Sequence, residues 1–443
     1  MGLGRFGGGV AAVRFLSERG ARVTVTDLRS EAELTESIGQ LADVPIERWR
    51  LGEHDERDFT SADFVVVNPA VRRDHPLLLA AENAGALLTS EMNLFWSHHR
   101  GRVIGVTGSN GKSTTAALIH AMLSETDHTV RLGGNIGRSL LNEVDSIGPN
   151  DWTVLELSSF QLDDLNRLQV SPEIAVVTNF TPNHLDWHGT VDDYRAAKQT
   201  ILRWQSTDDW AVLNDDDPDV TTWPVHGRRV GFSPVGSAVR TDTPSCDGPH
   251  SGPYDLLETL RLPGQHNHAN ALAAIAAVRC VEGVTDDAIR RGLKNFRGLP
   301  HRLEFVVESA GRRFYNDSLA TTPESAIAAL NAFDAPVVVI LGGSDKGSDL
   351  AELANVAAKN AKAVALIGKT ASQLKSLLDQ TTTTIPVRVC SSLTDAVTFA
   401  CQESSAGDVI LLSPGCASYD WFRDFADRGE QFRQLAEHAV FPK

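Results

Sequence analysis

The chain has few cysteines, no long apolar run and no excess of positive charge. Its five cysteines are Cys246, Cys280, Cys390, Cys401 and Cys416, and none forms a C-x-x-C pair. Their odd number and wide spacing exclude a disulfide framework and match no zinc-site spacing. A reducing, cytoplasmic compartment is the simplest expectation. The longest apolar runs, such as Val337-Val338-Val339-Ile340-Leu341, are far shorter than the roughly 20 residues a membrane-spanning helix needs. No basic-then-apolar segment with a small-residue cleavage site opens the sequence, so no signal peptide is expected. Lys and Arg number 41 against 57 Asp and Glu, a formal net charge of −16. That balance argues against nonspecific nucleic-acid binding, which needs a basic face. It leaves room for an anionic small ligand, because a few local cations outweigh a distant, screened field.

Apolar residues make up 42% and charged residues 22% of the 443, an ordinary globular balance that predicts about three domains. Short β-branched runs alternate with Ala- and Leu-rich stretches, the pattern of an α/β protein with parallel sheets. A glycine loop, Gly2-Leu3-Gly4-Arg5-Phe6-Gly7-Gly8-Gly9, leads into a helix over 10–19 and a strand over 22–26 closed by Asp27. Further strands are predicted over 64–67, 103–106, 337–341, 364–367 and 409–412, each ending in a small or glycine-rich turn. Ligands of open α/β sheets bind at that carboxyl edge. Residues 233–253 read as turns or an edge hairpin, and Thr381-Thr382-Thr383-Thr384 as a surface loop. Domain boundaries are predicted near 96 and 299.

The motif with the most chemistry is Val106-Thr107-Gly108-Ser109-Asn110-Gly111-Lys112-Ser113-Thr114. Backbone N–H groups of such a strand–loop–helix joint cradle phosphates, helped by the helix dipole. Lys112 would reach the β- and γ-phosphates, and the Ser113 hydroxyl would bind Mg²⁺. The pattern G-x-x-x-x-G-K-[ST] wants glycine where Val106 stands, so this is a variant with its extra glycine at Gly108. Trp152-Thr153-Val154-Leu155-Glu156 ends in a carboxylate, the acid that phosphate-loop enzymes keep near the metal. Ser158-Ser159-Phe160-Gln161 follows and could set polar groups beside the phosphates. Thr178-Asn179-Phe180-Thr181-Pro182-Asn183-His184 carries an imidazole into a polar turn, with Lys198 fourteen residues on. A neutral imidazole can hold a divalent cation, and a lysine can join it only if its charge is removed. In Gly264-Gln265-His266-Asn267-His268-Ala269-Asn270, either Asn267 or Asn270 could bond a nucleotide, or serve only as a helix cap.

Together these segments resemble the Mur ligase family, most closely its glutamate-adding branch. The most specific stretches are 107–114, Gly133-Gly134-Asn135-Ile136-Gly137, 155–162, 179–186, 194–198, 264–274, 298–302 and 412–425, and the resemblance covers essentially the whole chain. It implies a Rossmann-like sheet over 1–96 for a uridine-diphosphate substrate, a central P-loop ATPase-type, mostly parallel sheet over 97–299, and a Rossmann-like amino-acid domain over 300–443. It implies that UDP-N-acetylmuramoyl-L-alanine and glutamate are joined at the expense of ATP through an acyl phosphate, by a cytoplasmic, monomeric enzyme of peptidoglycan precursor synthesis. It places Mg²⁺ on Ser113 and Glu156, and a second metal near His184 and Lys198, the latter carbamylated. Lys112, His184 and Lys198 are the catalytic expectations. ATP would touch Gly108, Ser109, Asn110, Gly111, Lys112, Ser113, Thr114, Asn270, Arg302 and Asp317. Asp27 would sit near uracil, and Asn135, Ser159 and His184 near the acyl end. Thr321, Lys346, Ser418 and Phe425 would receive glutamate, Lys346 pairing with a carboxylate.

Three departures stand out. Leu319 occupies a family lysine position in Asp317-Ser318-Leu319-Ala320-Thr321, and the continuation Thr322-Pro323-Glu324 resembles a subgroup that adds L-glutamate. D-glutamate is the default and L-glutamate the alternative. Asn68-Pro69-Ala70 has alanine where the family has glycine, which weakens the diphosphate contact. The opening glycine loop has no strand before it, and the expectation is an upstream start with an apolar strand ahead of Gly2; without one, uridine binding should be impaired. Competing readings are a folylpolyglutamate-synthase-like ligase, an NAD(P)-dependent oxidoreductase resting on Gly2–Gly7 and Asp27, and a noncatalytic nucleotide-binding regulator.

Overall fold

The computed structural model describes residues 1–4, 7–136, 139–234, 239–241, 253–260, 262–344, 348–382 and 385–440. The backbone groups into two compact units, 1–258 with 269–293, and 259–268 with 294–443.

The first unit is built on a seven-stranded sheet. Its spatial order is Val239–Thr241, Arg228–Phe232, Trp210–Asn214, Ile174–Val177, Arg102–Thr107, Trp152–Glu156 and Val130–Gly134. All neighbours are parallel except the edge pair Arg228–Phe232 and Val239–Thr241, the edge hairpin expected for this region. Arg102–Thr107 lies between Ile174–Val177 and Trp152–Glu156. Strands covered on both faces must be apolar throughout. Residues 174–177 and 152–156 are accordingly buried at every position, Glu156 included. The carboxyl ends of three adjacent strands thus open at one edge, after Thr107, Glu156 and Val177.

The N-terminal residues form two separate parallel pairs, Thr24–Asp27 with Arg48–Leu51 and Phe64–Val66 with Leu87–Thr89. The first residues hydrogen-bond to both. The Gly2 amide donates to the Thr26 carbonyl at 2.8 Å, the Met1 amine to the Val66 carbonyl at 2.8 Å, and the Asn68 amide to the Met1 carbonyl at 3.0 Å. The helix Gly8–Glu18 follows, its Gly9 so close to the backbone that a Cβ would lie 2.1 Å from the Leu3 carbonyl oxygen. Ala11, Ala12 and Phe15 of that helix share one apolar core with Phe95, Leu141 and Leu155, so the N-terminal helix and the central sheet are packed as one body.

The second unit holds a six-stranded sheet ordered Glu304–Ser309, Arg312–Asn316, Val409–Leu412, Val337–Gly342, Ala361–Ile367 and Val387–Val389. Only its first pair is antiparallel. Separate apolar clusters fill its two faces. The alternation of strand and helix read from the sequence is the observed order, and the strands expected in the last third are all present.

Phe15 is 1% exposed in the shared core. Phe15→Ala should cost about 3–5 kcal/mol, the usual loss for emptying a buried aromatic site. Chemical denaturation should show it as a lower midpoint, and an unchanged midpoint would contradict the shared core.

Candidate active site

The strand Arg102–Thr107 delivers its last residue into a loop that cannot be built without glycine. Gly108 and Gly111 have φ of 147° and 82°, and a Cβ would lie 2.0 Å from Thr178 Oγ1 at the first and 2.1 Å from Asn270 Oδ1 at the second. The helix Lys112–Leu123 starts immediately after. The neighbouring strand end braces the loop. Ser109 N donates to the Asn179 carbonyl at 3.0 Å, Asn110 N to Asn179 Oδ1 at 2.9 Å, and the Thr178 hydroxyl to the Asn110 carbonyl at 2.6 Å. The Ser109 hydroxyl lies 3.2 Å from the Tyr194 hydroxyl and accepts from the Thr181 amide at 2.8 Å.

Two lysines meet at one carbonyl. Lys112 Nζ donates to the carbonyls of Gly108 at 3.1 Å and Ser109 at 3.0 Å. Lys198 Nζ donates to the same Gly108 carbonyl at 2.7 Å and lies 3.4 Å from Thr107 Oγ1. Lys198 is 2% exposed. Burial first, and then the charge of Lys112, push its pKa well below the ordinary lysine value, against the opposing pull of Glu156. Glu156 is equally buried. Its Oε1 accepts from Asn135 Nδ2 at 2.9 Å, while its Oε2 has no partner among the described residues. A buried carboxylate oxygen with no hydrogen bond is costly unless a cation occupies it. Among the described residues no group of three or more His, Cys, Asp and Glu side chains could hold a metal. A carboxylate oxygen is a hard donor of the kind that suits Mg²⁺. The residues present therefore fit the ion.

His184 lies in the left-handed region at φ 52°, in an exposed turn. Its ring centroid is 5.1 Å from that of Phe160 and 6.3 Å from that of Tyr194. Ser159, the first residue of the helix Ser159–Leu168, is 3% exposed and lies 2.9 Å from His188 Nε2. Ser158 and Gln161 form the capping box of that helix. Asp27 is buried too, and its two oxygens accept from the amides of Gly4 at 3.1 Å and Arg29 at 2.9 Å. In this geometry it shapes the glycine turn.

In the second unit, Asp317 lies 5% exposed at the end of the strand Arg312–Asn316. It accepts from the Ser413 hydroxyl at 2.6 Å and the Leu303 amide at 3.1 Å, and burial raises its pKa to about 7. Arg428 is fully buried, and its hydrogen-bond partners among the described residues are neutral. It donates to Ser318 Oγ at 2.9 Å, the Ser318 carbonyl at 2.8 Å and the Cys416 carbonyl at 3.1 Å. The Ser318 hydroxyl donates to the Phe425 carbonyl at 2.7 Å. These bonds gather the turn before Thr321, the loop before Ser418, and Phe425.

Comparison with known proteins agrees with this architecture. Residues 1–90 match the Mur ligase MurD-like N-terminal domain, 106–278 the Mur ligase middle domain, and 301–416 the Mur ligase glutamate ligase domain. The UDP-N-acetylmuramoylalanine–D-glutamate ligase of Roseiflexus sp. (strain RS-1) is 40% identical over 99% of this chain and 97% of its own. The chain belongs to the Mur ligase family. A second such Mur ligase, from Symbiobacterium thermophilum, is 40% identical over 97% of this chain and 95% of its own. Among solved Mur ligases, MurC of Thermotoga maritima shares the fold with a TM-score of 0.61 at 20% identity, over 99% of this chain and 98% of that one.

Against the Mur ligase expectation, the structure brings together Gly108, Ser109, Asn110, Gly111, Lys112, Lys198 and Asn270 at the loop, with Glu156 and Asn135 bonded to each other. Ser113 and Thr114 lie in the first turn of the loop helix. Of the two asparagine candidates, Asn270 faces Gly111, whereas Asn267 donates to the Pro263 carbonyl at 2.6 Å. The Arg428 bonds bring together Ser318, next to Asp317, and Cys416, two residues before Ser418, with Phe425 bonded to Ser318. Thr321 follows in the same turn, and Arg302 precedes Leu303, whose amide Asp317 accepts. Lys346 lies outside the described residues, as does most of 235–252. Leu319 is 39% exposed and its amide donates to the His301 carbonyl at 2.9 Å. Sequence reasoning missed Arg428, Tyr194 and His188. Arg428 had a readable signal, since it occupies an apolar register between Phe425 and Phe432 of one helix.

Gly111→Ala should weaken nucleotide binding by about tenfold or more, because its Cβ must displace Asn270 at a φ that disfavours side chains; titration with a fluorescent ATP analogue measures this. Asp317 predicts a pH effect. Its pKa rises from 3.8 unfolded to about 7 folded, so the native state holds the extra proton between those values. Stability should therefore fall as pH rises through that window. Asp317→Asn cannot ionise and should lose less stability over the same window, by on the order of 4 kcal/mol. Parallel denaturation curves for the two proteins at pH 4 and pH 8 would refute the assignment.

Proposed function

We propose that this Mur ligase joins D-glutamate to UDP-N-acetylmuramoyl-L-alanine with hydrolysis of ATP to ADP and phosphate, in peptidoglycan precursor synthesis. The observation that carries the reading is the paired-lysine phosphate loop beside the unpartnered Glu156 oxygen, in a chain 40% identical over nearly its whole length to D-glutamate ligases. Residues 1–96 bind the uridine diphosphate, 97–299 bind ATP, and 300–443 bind the amino acid. No helix among the described residues is long and apolar enough to cross a membrane, and the substrates are soluble anions, so the reaction belongs in the cytoplasm.

A carboxylate is a poor electrophile, and phosphorylation gives it a leaving group. The alanyl carboxylate attacks the γ-phosphorus, the bond to the ADP oxygen breaks, and an acyl phosphate forms. The unprotonated glutamate amine then attacks the acyl carbon, phosphate leaves, and the amine proton is lost. Loop amides from Gly108 to Ser113 and the Lys112 ammonium counter the charge on the transferring phosphoryl group. Lys112 leaves its loop carbonyls to do so. Ser113 and Glu156 would hold Mg²⁺, and His184 and carbamylated Lys198 would hold a second ion; when bound, such ions would supply positive charge to offset the phosphates. Carbamylation requires a neutral amine, and the burial of Lys198 favours that form. The carbamate replaces a cation by an anion next to Glu156. Asn270, Arg302 and Asp317 contact ATP, and Asn135, Ser159 and His184 contact the acyl end. Thr321, Lys346, Ser418 and Phe425 receive glutamate. Leu319 removes one cation from that pocket, which leaves Lys346 as its charge partner. D-glutamate is favoured over L-glutamate by the names of the full-length relatives, and the match over residues 1–90 disfavours the folylpolyglutamate alternative.

ADP release should require UDP-N-acetylmuramoyl-L-alanine and D-glutamate together, and L-glutamate should not replace D-glutamate. Product formed with L-glutamate alone would sink the stereochemical assignment. Lys112→Ala should lower kcat by about 100-fold or more, and full activity in that variant would overturn the role given to the loop.

A further inference from the structure

The turn that carries His184 is fastened to the helix Ser159–Leu168 by a residue with no part in the chemistry above. His188 ends the short helix Leu185–His188. Its Nε2 is 2.9 Å from the Ser159 hydroxyl. Its ring stacks on Phe160, with centroids 5.4 Å apart and planes 4° apart. Trp187 and Tyr194 close two more sides, at 4.6 and 5.3 Å. Ser159 is not needed as a helix cap, because Ser158 accepts from the Gln161 amide at 3.3 Å and the Gln161 side chain accepts from the Ser158 amide at 3.0 Å. Among the described residues, this buried hydroxyl, at a helix start three residues past Glu156, is held by the His188 imidazole.

Two tautomers of His188 fit the distance. With the proton on Nδ1, the Ser159 hydroxyl donates to Nε2, as a nucleophile does to its base. That arrangement spends the hydroxyl proton on the imidazole and leaves Ser159 only lone pairs, which give a substrate carboxylate no hydrogen bond to accept. With the proton on Nε2, the imidazole donates to Ser159 Oγ and leaves the hydroxyl proton free to bond a third group.

We propose that His188 is a positioning residue for Ser159, its Nε2–H holding Oγ so that the Ser159 proton points to the carboxylate of the UDP-linked substrate. The inference rests on the ligase reading and deepens it at the acceptor end. It assigns His188 a specificity role felt by one of the three substrates.

Three substitutions in the full-length enzyme test it. His188→Phe keeps the stack on Phe160 and removes the donor, His188→Gln keeps a side-chain N–H, and Ser159→Ala removes the acceptor. His188→Phe should raise KM for UDP-N-acetylmuramoyl-L-alanine about tenfold, the worth of one hydrogen bond, and leave KM for ATP and D-glutamate within about twofold. His188→Gln should restore most of that loss. In the Ser159→Ala background, His188→Phe should add nothing further, since the two residues act as one unit. Nitrogen-15 NMR of histidine-labelled wild type, with the His188 signal identified by its loss in His188→Gln, should report the Nε2–H tautomer. The Nδ1–H tautomer, additive losses, or equal rises in all three KM values would overturn the inference. A wild type inactive with all three substrates would sink the ligase reading together with it, whereas normal kinetics for His188→Phe in an active enzyme would sink this inference alone.

Discussion

The first unit depends on the placement of the Gly108 carbonyl. It sits at the end of the central strand, where it accepts from Lys112 and Lys198 at once. The charge of Lys112 there disfavours a second ammonium at Lys198. The loop is thus charged toward an incoming anion before any ligand arrives. Preorganised charge of this kind is the largest lever on phosphoryl transfer, because it needs no rearrangement when negative charge develops. The glycines follow from the same requirement. Backbone packs so closely at Gly108 and Gly111 that any side chain would strike Thr178 or Asn270.

The cost of that arrangement falls on Lys198. Desolvation and the nearby Lys112 both disfavour its charged form, and Glu156 is the one group pulling the other way. A lysine under such pressure tends toward the neutral amine, the form able to take up carbon dioxide. The unpartnered Oε2 of Glu156 is the complementary imbalance, an anion wanting a cation. The second unit handles buried charge differently. Arg428 is surrounded by carbonyl and hydroxyl oxygens, so its guanidinium acts as a bracket for three loops, and Asp317 is eased toward its neutral form by burial.

Much of this was legible in the letters. The alternation of buried strands with helices specifies the layered α/β class, since each fully apolar run must be covered on both faces. The loop from Thr107 to Thr114 was readable because its function is carried by its own backbone, and backbone conformation is set locally by Gly108 and Gly111. The edge hairpin after Phe232 was signalled by turn residues. Other positions were ambiguous for a definite reason. Asn267 and Asn270 lie three apart on one helix, and the approach of Gly111 to one and the Pro263 carbonyl to the other distinguish them. Asp27 accepts the amides of Gly4 and Arg29, contacts that tie it to the glycine turn and that the letters alone do not show.

By itself the sequence determined the class of fold, the phosphate loop and the family, because those follow from local periodicity, glycine placement and ordered motifs. Only the tertiary structure decided which partners each charged group has. It set Lys198 on the Gly108 carbonyl 90 residues away, left one oxygen of Glu156 without a partner among the described residues, and joined His188 to Ser159 across 29 residues. Such contacts depend on how strands far apart in the chain come side by side, and no local pattern encodes them. The physical reason is that desolvation and charge pairing are properties of a place in the folded chain, whereas a turn or a helix start is a property of a few consecutive residues.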